Sequence, residues 1–480
     1  MKSARHLTGK QLELVENRVQ ESSCVFQYRG YLCALLSMKV RPVSAVIGLL
    51  SAFTLAATFY AWRFSYFWLD DFNVFFWVQR LDYSLGRMVW DCINPFANAF
   101  RPFGILFYWI FWHIFGLSPL PYHLFAWAIH TANVILLFVL LSRIVGSRYG
   151  AAVGALLFGF RANFTDIYWS FGTIFELLAL FLMLLAMLAY SSEMKFRWKL
   201  VTAVLLYLLA VKSKEMAITL PALLLLFDIS FSRERWTRKL TSLYAVLVLF
   251  GLALGYSKLT TIESASRTAP YYMDISALTL GRGYGWYFDH LYGMKIRWGA
   301  WGIVSVLLIA FFIYRRERRG LFFLGYVYIT LLPVIFLVNH RYEFFWYIPF
   351  FGISGLAAVL ADSIEKLLRV RISENALAFA AAVVFACLSA GHWLRESSAS
   401  AEVIRVEASA AVEFEALVTA VRHLPSPETG AVIYFTAFPK YFDAESLNFV
   451  TQVTLRRTDV SPALVDAFPD PCRSCVQFMR

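Results

Sequence analysis

Apolar runs of about 20 residues recur along the first four fifths of this chain, and a helical run of that length spans the hydrocarbon core of a bilayer. The 480-residue chain is 59% hydrophobic and only 16% charged. Soluble globular proteins are about 45–50% apolar and about 25% charged. The sequence therefore excludes an ordinary soluble enzyme and predicts an all-α polytopic membrane protein.

Eleven of these runs are long enough to cross, or nearly cross, a bilayer. They are residues 43–62, 121–142, 149–167, 171–190, 198–211, 216–230, 240–257, 299–314, 320–338, 345–361 and 375–393. Residues 1–42 are polar and basic, whereas a cleaved signal peptide would need its apolar run much nearer the start. We therefore predict a cytoplasmic N-terminal segment at 1–42, an uncleaved first span, and a transmembrane domain of about eleven helices at 43–393.

The charges of the loops decide how one further apolar run, 103–117, is treated. If this run does not cross, the loops predicted to face the cytoplasm hold 16 Lys and Arg in 44 residues, and the outer loops hold 13 in 102 residues. Counting it as a crossing would move the arginine cluster at 315–319 to the outside, against the positive-inside rule. We therefore predict one long outer loop at 63–120 with juxtamembrane helices. The alternative is an ordinary short helix with atypical topology.

Two further segments lie outside the membrane in this topology. The outer loop 258–298 carries the glycine-rich string GRGYGWYFDH, and such a loop can fold over a site on the first loop. Residues 394–480 are soluble in character, with an amphipathic helical stretch near 401–424, a turn and a strand-like VIYFTAF. We predict a small extracytoplasmic α/β tail there, facing the periplasm of a bacterial inner membrane.

The net charge of +12 and the six cysteines exclude other classes. Much of the basic surplus orients helices in the bilayer, so it does not indicate a nucleic-acid partner. The cysteines are scattered and no histidine pairs accompany them at zinc-finger spacing. The sequence therefore predicts membrane lipid as a partner, and neither a disulfide scaffold nor a structural zinc site.

Asp70 and Asp71 follow the first span, within the aromatic string YFWLDDFNVFFW. Charges beside a hydrocarbon boundary are costly, so an acidic pair there suggests a proton acceptor, a metal site or a cationic partner. A helix cap with a solvated charge is the structural alternative. Asp70, Asp71 and Asp166 could share a divalent cation, but Arg and Lys could neutralise a phosphate alone, so metal use stays open.

Basic side chains at the predicted outer helix ends are candidates for binding a phosphate group, because a guanidinium group binds phosphate oxygens bidentately. These are Arg101, Lys212, Lys214 and Arg341. The remaining candidate binding residues are His123, Asp166, Glu215, Arg282, His290 and Tyr342. The KSKE string could instead be a solvated hairpin, and Arg341 could extend from a helix end without a ligand.

Four strings in order resemble the GT-C superfamily of polytopic glycosyltransferases: the acidic pair, FRPF, FGLSPLPYHLFAWAIH leading to LLSRIVGSR, and KSKEMAITLPALLLLFD. Within it the chain is most similar to protein O-mannosyltransferase-like and tetratricopeptide-type O-mannosyltransferase membrane cores. It more distantly resembles the aminoarabinose transferases that modify lipid A. The resemblance covers roughly residues 43–360.

The resemblance implies inverting transfer of a sugar from a polyprenyl-phosphate donor to an acceptor hydroxyl on the extracytoplasmic side. It implies that Asp70 is the catalytic carboxylate, with Asp71 its neighbour and Asp166 the acidic residue of the next outer loop. This chain has Asp-Asp where O-mannosyltransferases usually have Asp-Glu, so the choice between the first two stays open. No tetratricopeptide repeats follow, and the acceptor could be a protein, a glycan or a lipid.

Two other functions compete with the enzyme: a lipid-linked sugar transporter or flippase, and a non-catalytic membrane scaffold. Transporters tend to bind substrate near the bilayer midplane, between internal repeats. In this sequence the acidic pair lies at the predicted outer edge, and no repeat is visible. The enzyme is therefore the favoured interpretation.

Overall fold

The protein was analysed as a computed structural model, which describes only part of the chain. The described residues are 66–67, 69–80, 84–97, 99–159, 170–231, 241, 244–249, 251–253, 267–269, 271–292, 294–368, 401–436, 444–466 and 474–476. The predicted N-terminal segment, the first and last predicted spans and Asp166 lie outside these residues.

The described residues are mainly helical. The helices are α1 (Leu69–Arg80), α2 (Leu85–Ile93), α3 (Pro102–Phe115), α4 (Pro119–Val145), α5 (Arg148–Gly159), α6 (Ile174–Tyr190), α7 (Phe196–Ser213), α8 (Leu220–Phe231), α9 (Ala277–Tyr292), α10 (Trp298–Tyr314), α11 (Arg318–Ile335), α12 (Phe350–Leu368), α13 (Ala401–Arg422) and α14 (Ala444–Leu455). Short 3-10 helices at Phe171–Thr173, Glu215–Thr219 and Glu343–Trp346 precede α6, α8 and α12.

Three helical stretches among the described residues are long and apolar enough to cross a membrane. They are Pro119–Val145, Phe171–Tyr190 and Arg318–Ile335. Two further apolar helices, α3 and α10, are shorter, with 14 and 17 residues. The described residues therefore form a helical protein with three candidate membrane spans, and the count of eleven spans stays a prediction.

Glycines allow the backbones of α5 and α12 to touch. A Cβ atom added at Gly150 would lie 2.4 Å from the carbonyl oxygen of Ala358, and one at Gly154 would lie 2.5 Å from that of Ser354. Lipid is as apolar as a leucine side chain, so helices inside a membrane associate largely through such close packing of small residues. The two glycines therefore fix how closely α5 and α12 approach.

Polar contacts define one end of the bundle, where α4 ends and α11 begins. Arg319 donates from Nη1 to the carbonyl oxygen of Val145 at 2.7 Å and to Asp362 Oδ2 at 2.8 Å. Ser147 donates to Glu365 at 2.7 Å. Parts of three loops predicted to face the cytoplasm, 143–149, 315–319 and 362–374, therefore lie together. We call this the charged end.

The opposite end, where α6 begins and α7 ends, carries α3 along its surface. Arg101, which precedes α3, pairs with Glu215, which follows α7. Tyr108, in the middle of α3, donates to Asp71, which also accepts a bond from the backbone N–H of Phe171. The start and the middle of α3 therefore contact the same end of the bundle, and the prediction that 103–117 does not cross the membrane stays a prediction. We call this end of the bundle the platform end.

The C-terminal segment packs on α1 at the platform end. It contains α13, α14 and a three-stranded parallel sheet of β1 (Val432–Phe435), β2 (Ser461–Leu464) and β3 (Cys475–Val476), in the order β2-β1-β3. Phe72 of α1 stacks on Phe414 at 5.3 Å, and Phe76 contacts Phe449 at 4.6 Å. These ring contacts join the tail to the helix that carries the acidic pair.

The glycine-rich string GRGYGWYFDH lies inside helix α9, whereas the sequence analysis assigned it to a loop. A Cβ atom at Gly283 would lie 2.6 Å from the carbonyl oxygen of Ile335, and one at Gly285 would lie 2.9 Å from Cα of Trp298. These glycines therefore let α9 pack closely against α11 and α10. Helix α9 thus lies within the predicted outer loop 258–298, and the position of that segment outside the membrane stays a prediction.

We expect Gly150→Ala to destabilise the protein by about 1–3 kcal/mol, because the added methyl group would overlap a backbone oxygen that cannot move independently. The matched control is Gly299→Ala in α10, where a Cβ meets nothing within 4 Å and the better helix propensity of alanine should help by up to about 1 kcal/mol. Unfolding in detergent, followed by circular dichroism, measures both. Equal stability of the two variants would contradict the proposed backbone contact.

Candidate functional site

The acidic pair occupies the first turn of α1, where the positive end of the helix dipole favours carboxylates. The helix presents Phe72, Phe75 and Phe76 to the core, and all three are buried. Successive residues on a helix point about 100° apart, so the two carboxylates face different surroundings. Asp71 is fully buried, and Asp70 is exposed.

Asp71 accepts a hydrogen bond from the hydroxyl of Tyr108 at 2.7 Å and another from the backbone N–H of Phe171 at 3.3 Å. These partners belong to α3 and to the 3-10 turn that begins the α6 span. A buried carboxylate is tolerated only when such donors replace the water it has lost. Asp71 therefore joins three separate segments at the platform end and holds the start of α1 in place.

Asp70 points about 100° away from Asp71 in the first turn and is in contact with solvent. The surrounding protein partly desolvates it and raises the pKa of its carboxyl group, while the nearby cations Lys214 and Arg101 lower it and Glu176 raises it again. A carboxylate with a raised pKa is a stronger proton acceptor than an ordinary aspartate, provided that it stays ionised. Of the acidic pair, Asp70 is the residue that a substrate can reach.

Arg101 lies beside Asp70 in a fixed position. Its backbone is left-handed, with φ 40°, immediately before the proline that begins α3. Its Nη2 atom lies 3.0 Å from Oε2 of Glu215, and its Nε donates to the two carboxylate oxygens at 3.2 and 3.1 Å. The guanidinium group also lies over the rings of Phe100 and Phe175, at 4.6 and 5.3 Å. Stacking and pairing together hold this cation at the platform end.

Lys214 forms a second ion pair, with Glu176, and this pair is buried: 5% of the lysine side chain and 3% of the glutamate side chain are exposed. The ammonium group lies 4.9 Å from the ring centre of Phe345. Asp70, Arg101, Glu176, Lys214 and Glu215 together form what we call the charge cluster, with two cations and three carboxylates. Each cation already has a carboxylate partner.

Aromatic side chains line one side of the charge cluster. His340 lies between Tyr271, at 4.5 Å between ring centres, and Tyr342, at 4.7 Å. Burial and the positive charges of Lys214 and Arg101 lower the pKa of His340 to about 4, so its imidazole is neutral at physiological pH. Antiparallel pairing of Met273 with Leu337 connects the segments that carry these rings.

Two of the predicted phosphate-binding cations make other contacts. Lys212 donates from Nζ to the carbonyl oxygen of Ala97 at 2.7 Å and so fastens the first loop to the end of α7. Arg341 donates from Nε to the carbonyl oxygen of Leu337 at 3.1 Å, while its neighbour Tyr342 faces His340. In their described contacts, both cations hold the backbone around the cluster.

Three other predicted site residues, on or near helices α1, α4 and α9, make no described contact with the charge cluster. His123 is buried beneath α1, where its ring stacks with Phe67 at 6.5 Å. Arg282 is exposed on α9, and His290 donates from Nδ1 to the carbonyl oxygen of Trp286 in the same helix. Asp166 lies outside the described residues. The structure thus brings Asp70, Arg101, Lys214, Glu215 and Tyr342 near one another, whereas no described contact joins His123, Arg282 or His290 to them, and the roles of these three stay predictions.

Metal binding stays open. Within the described ranges, no group of three or more His, Cys, Asp or Glu side chains is placed to hold a metal ion. Both oxygens of Asp71 accept hydrogen bonds from protein donors. The predicted three-carboxylate site also needs Asp166, which is not described, so nothing in the described part of the chain supports a metal assignment.

The sequence analysis missed three members of the site: Glu176, Tyr271 and His340. Glu176 has a sequence signal, since it is an ionisable residue inside a candidate span, and such residues usually have a partner. His340 directly precedes the predicted Arg341 and Tyr342. Tyr271 has no comparable signal, because only the pairing of two distant segments brings it to the cluster.

Comparisons with known proteins give limited guidance. No protein-family model and no curated protein matches the chain. A crystal structure of ArnT from Cupriavidus metallidurans bound to undecaprenyl phosphate is similar at 13% sequence identity, with a TM-score of 0.45 over 85% of this chain and 84% of that chain. We therefore base the functional proposal on the residues of this chain.

We expect Lys214→Met to destabilise the protein by about 3–5 kcal/mol, because it leaves the buried carboxylate of Glu176 without its cation. The double variant Lys214→Met with Glu176→Leu should recover most of this loss, since it removes both charges. Lys195→Met, at an exposed position before α7, serves as the control. Denaturant unfolding in detergent measures the four proteins, and equal instability of the single and double variants would contradict the ion pair.

Proposed function

We propose that this chain is a membrane glycosyltransferase of the GT-C type, which transfers a sugar from a polyprenyl-phosphate donor to an acceptor hydroxyl on the extracytoplasmic face. The carrying observation is the exposed carboxylate of Asp70 beside Arg101 and Lys214. These groups lie at the end of a helical membrane bundle. A polyprenyl-phosphate donor has its headgroup at the membrane surface, so a proton acceptor and cations at the end of the bundle can reach its sugar and its phosphate.

Asp70 is the general base in this proposal. It removes the proton of the acceptor hydroxyl while the oxygen forms a bond to the anomeric carbon of the sugar. The bond between that carbon and the phosphate oxygen breaks, and the electron pair leaves with the carrier phosphate. Attack opposite the leaving group inverts the anomeric carbon. Asp71 does not take part directly, because its oxygens bind Tyr108 and the backbone of Phe171.

Arg101 is the cation that binds the leaving phosphate. Its partner Glu215 has 36% of its side chain exposed, whereas the Lys214–Glu176 pair is almost wholly buried. Glu215 can therefore move into solvent at low cost, and the phosphate can take its place on the guanidinium group. The fork of N–H groups suits a phosphate as well as a carboxylate.

The buried Lys214–Glu176 pair and the aromatic side chains near the charge cluster surround the place where the phosphate would replace Glu215. Lys214 stays with Glu176 and contributes a fixed positive charge that favours the ionised form of Asp70. Tyr271 lies within electrostatic reach of Asp70 and Arg101, and Tyr342 lies on the other side of His340; both are partly exposed and present ring faces on which a sugar can stack. The neutral His340 fixes the spacing of the two tyrosines.

We expect Asp70→Asn to insert and fold normally but to lower the rate of sugar transfer by about 10²–10⁴-fold, the usual contribution of a general base. The assay incubates purified protein with a panel of polyprenyl-phosphate sugars and measures consumption of the acid-labile carrier. Asp466→Asn, at an exposed position of the tail, is the control with the same chemical change. Full activity of Asp70→Asn, or uptake of labelled lipid-linked sugar into vesicles without product, would reject the enzyme.

We expect Glu215→Gln to lower the KM for the donor by about fivefold to tenfold without a matching fall in kcat, because the phosphate no longer competes with a carboxylate for Arg101. Arg101→Lys should raise that KM, since a lysine cannot form the bidentate contact. Glu428→Gln, exposed in the tail, is the control. A donor KM that does not respond to Glu215→Gln would remove Arg101 from the phosphate site.

A further inference from the structure

A second basic site lies at the far end of α3 from Arg101. The 14 residues of α3, at 1.5 Å each, separate the two by roughly 20 Å. A cavity of about 540 Å³ opens there, in the seam between α3 and the C-terminal tail. Its lining residues are His113, Ile114, Phe115, Gly116, Leu117, Ser118, Arg422 and Arg456.

We call this cavity the seam pocket, and its charged lining residues are all basic. Arg422 and Arg456 line it together with His113, and none of the described residues that line it is acidic. Both arginines are exposed. His113 is oriented by a bond from Nδ1 to the carbonyl oxygen of Trp109 at 2.8 Å. The pocket therefore differs from the charge cluster around Asp70, in which carboxylates already pair with both cations.

Arg456 is held in position at the pocket. It follows α14 with a left-handed backbone, φ 53°, and its guanidinium group lies 4.9 Å from the ring centre of Trp112. Gly116, also left-handed at φ 57°, faces it, and a Cβ there would come within 3.1 Å of Nη2. A left-handed non-glycine residue costs of order 1–3 kcal/mol and persists only where its surroundings fix it. The guanidinium group is thus fixed by the ring and by the space that glycine leaves.

The pocket lies at the N-terminal end of a candidate membrane span. Ser118 lines the pocket and directly precedes the span Pro119–Val145. Beside the pocket, Ile114, Phe115 and Leu120 are 65%, 42% and 45% exposed. Large exposed apolar side chains next to a basic pocket suit the boundary between acyl chains and headgroups.

We propose that the seam pocket binds the phosphate of an anionic membrane lipid, with Arg422 and Arg456 as its ligands and with Ile114 and Phe115 in contact with the acyl chains. Basic pockets at this depth are suited to lipid phosphates, and guanidinium groups bind them bidentately. The lipid would fasten the tail to the membrane and, through α3, set the position of Arg101. Lipid binding at this site can be tested without the sugar-transfer proposal, because its lining includes no residue of the charge cluster.

The test compares lipid binding by the purified full chain in native mass spectrometry, with phosphatidylglycerol and phosphatidylcholine as probes. We expect selective retention of phosphatidylglycerol, and binding weaker by at least about tenfold in Arg422→Gln with Arg456→Gln, since each charge-assisted contact corresponds to about that factor. The matched control is Lys295→Gln with Arg297→Gln, which removes the same charge from exposed positions before α10.

The single variant Arg422→Gln is a control for misfolding, because it leaves the contact of Arg456 with Trp112 intact. We expect it to weaken phosphatidylglycerol binding while the unfolding temperature stays unchanged. The proposal would be overturned if the two lipids bound equally or if the seam and control variants lost binding equally. It would also be overturned if inorganic phosphate displaced the lipid at comparable concentration. The last outcome would assign the pocket to free phosphate instead of a membrane lipid.

Discussion

The buried carboxylate of Asp71 is the interaction on which the platform end depends. It takes a hydroxyl bond from α3 and a backbone bond from the turn that begins α6, while its own helix packs on the tail. A charge buried at this depth would be costly without those donors. Because the donors come from different segments, the carboxylate is satisfied only when all three are assembled. Its neighbour Asp70 is thereby aimed at solvent beside two cations.

The charge cluster shows that nearby cations need not have the same role. Arg101 and Lys214 each pair with a glutamate, but the two pairs differ in access to water. A partly exposed carboxylate can exchange with another anion, because water solvates it once it is displaced. A buried carboxylate cannot leave without a large desolvation cost to both ions. The exposed pair is therefore suited to binding, and the buried pair to fixing the local potential.

The tail and helix α3 connect the charge cluster to the seam pocket. The tail packs on α1 through Phe414 and Phe449, and it contacts the end of α3 through Arg456 and Trp112. The start of α3 carries Arg101 at the charge cluster. A lipid bound at the seam would thus contact the helix that Arg101 precedes, and this would link the tail to the charge cluster.

The sequence by itself determined that the chain is helical and membrane-embedded, because long apolar runs with few charges leave no other way to satisfy the backbone in lipid. It also singled out Asp70, Arg101 and Lys214 as candidates, since charges beside apolar runs are costly and therefore informative, and their roles stay predictions. It could not choose between Asp70 and Asp71, because adjacent residues look alike in sequence and differ only in what packs on them. It placed the glycine-rich string in an outer loop but did not predict that the string forms the helix α9, in which the glycines allow close packing. Only the tertiary structure placed Glu176, Tyr271 and His340 near the charge cluster, because the distances between segments far apart in the chain are set by packing, and local sequence does not encode them. The roles of His123, Arg282 and His290 stay predictions.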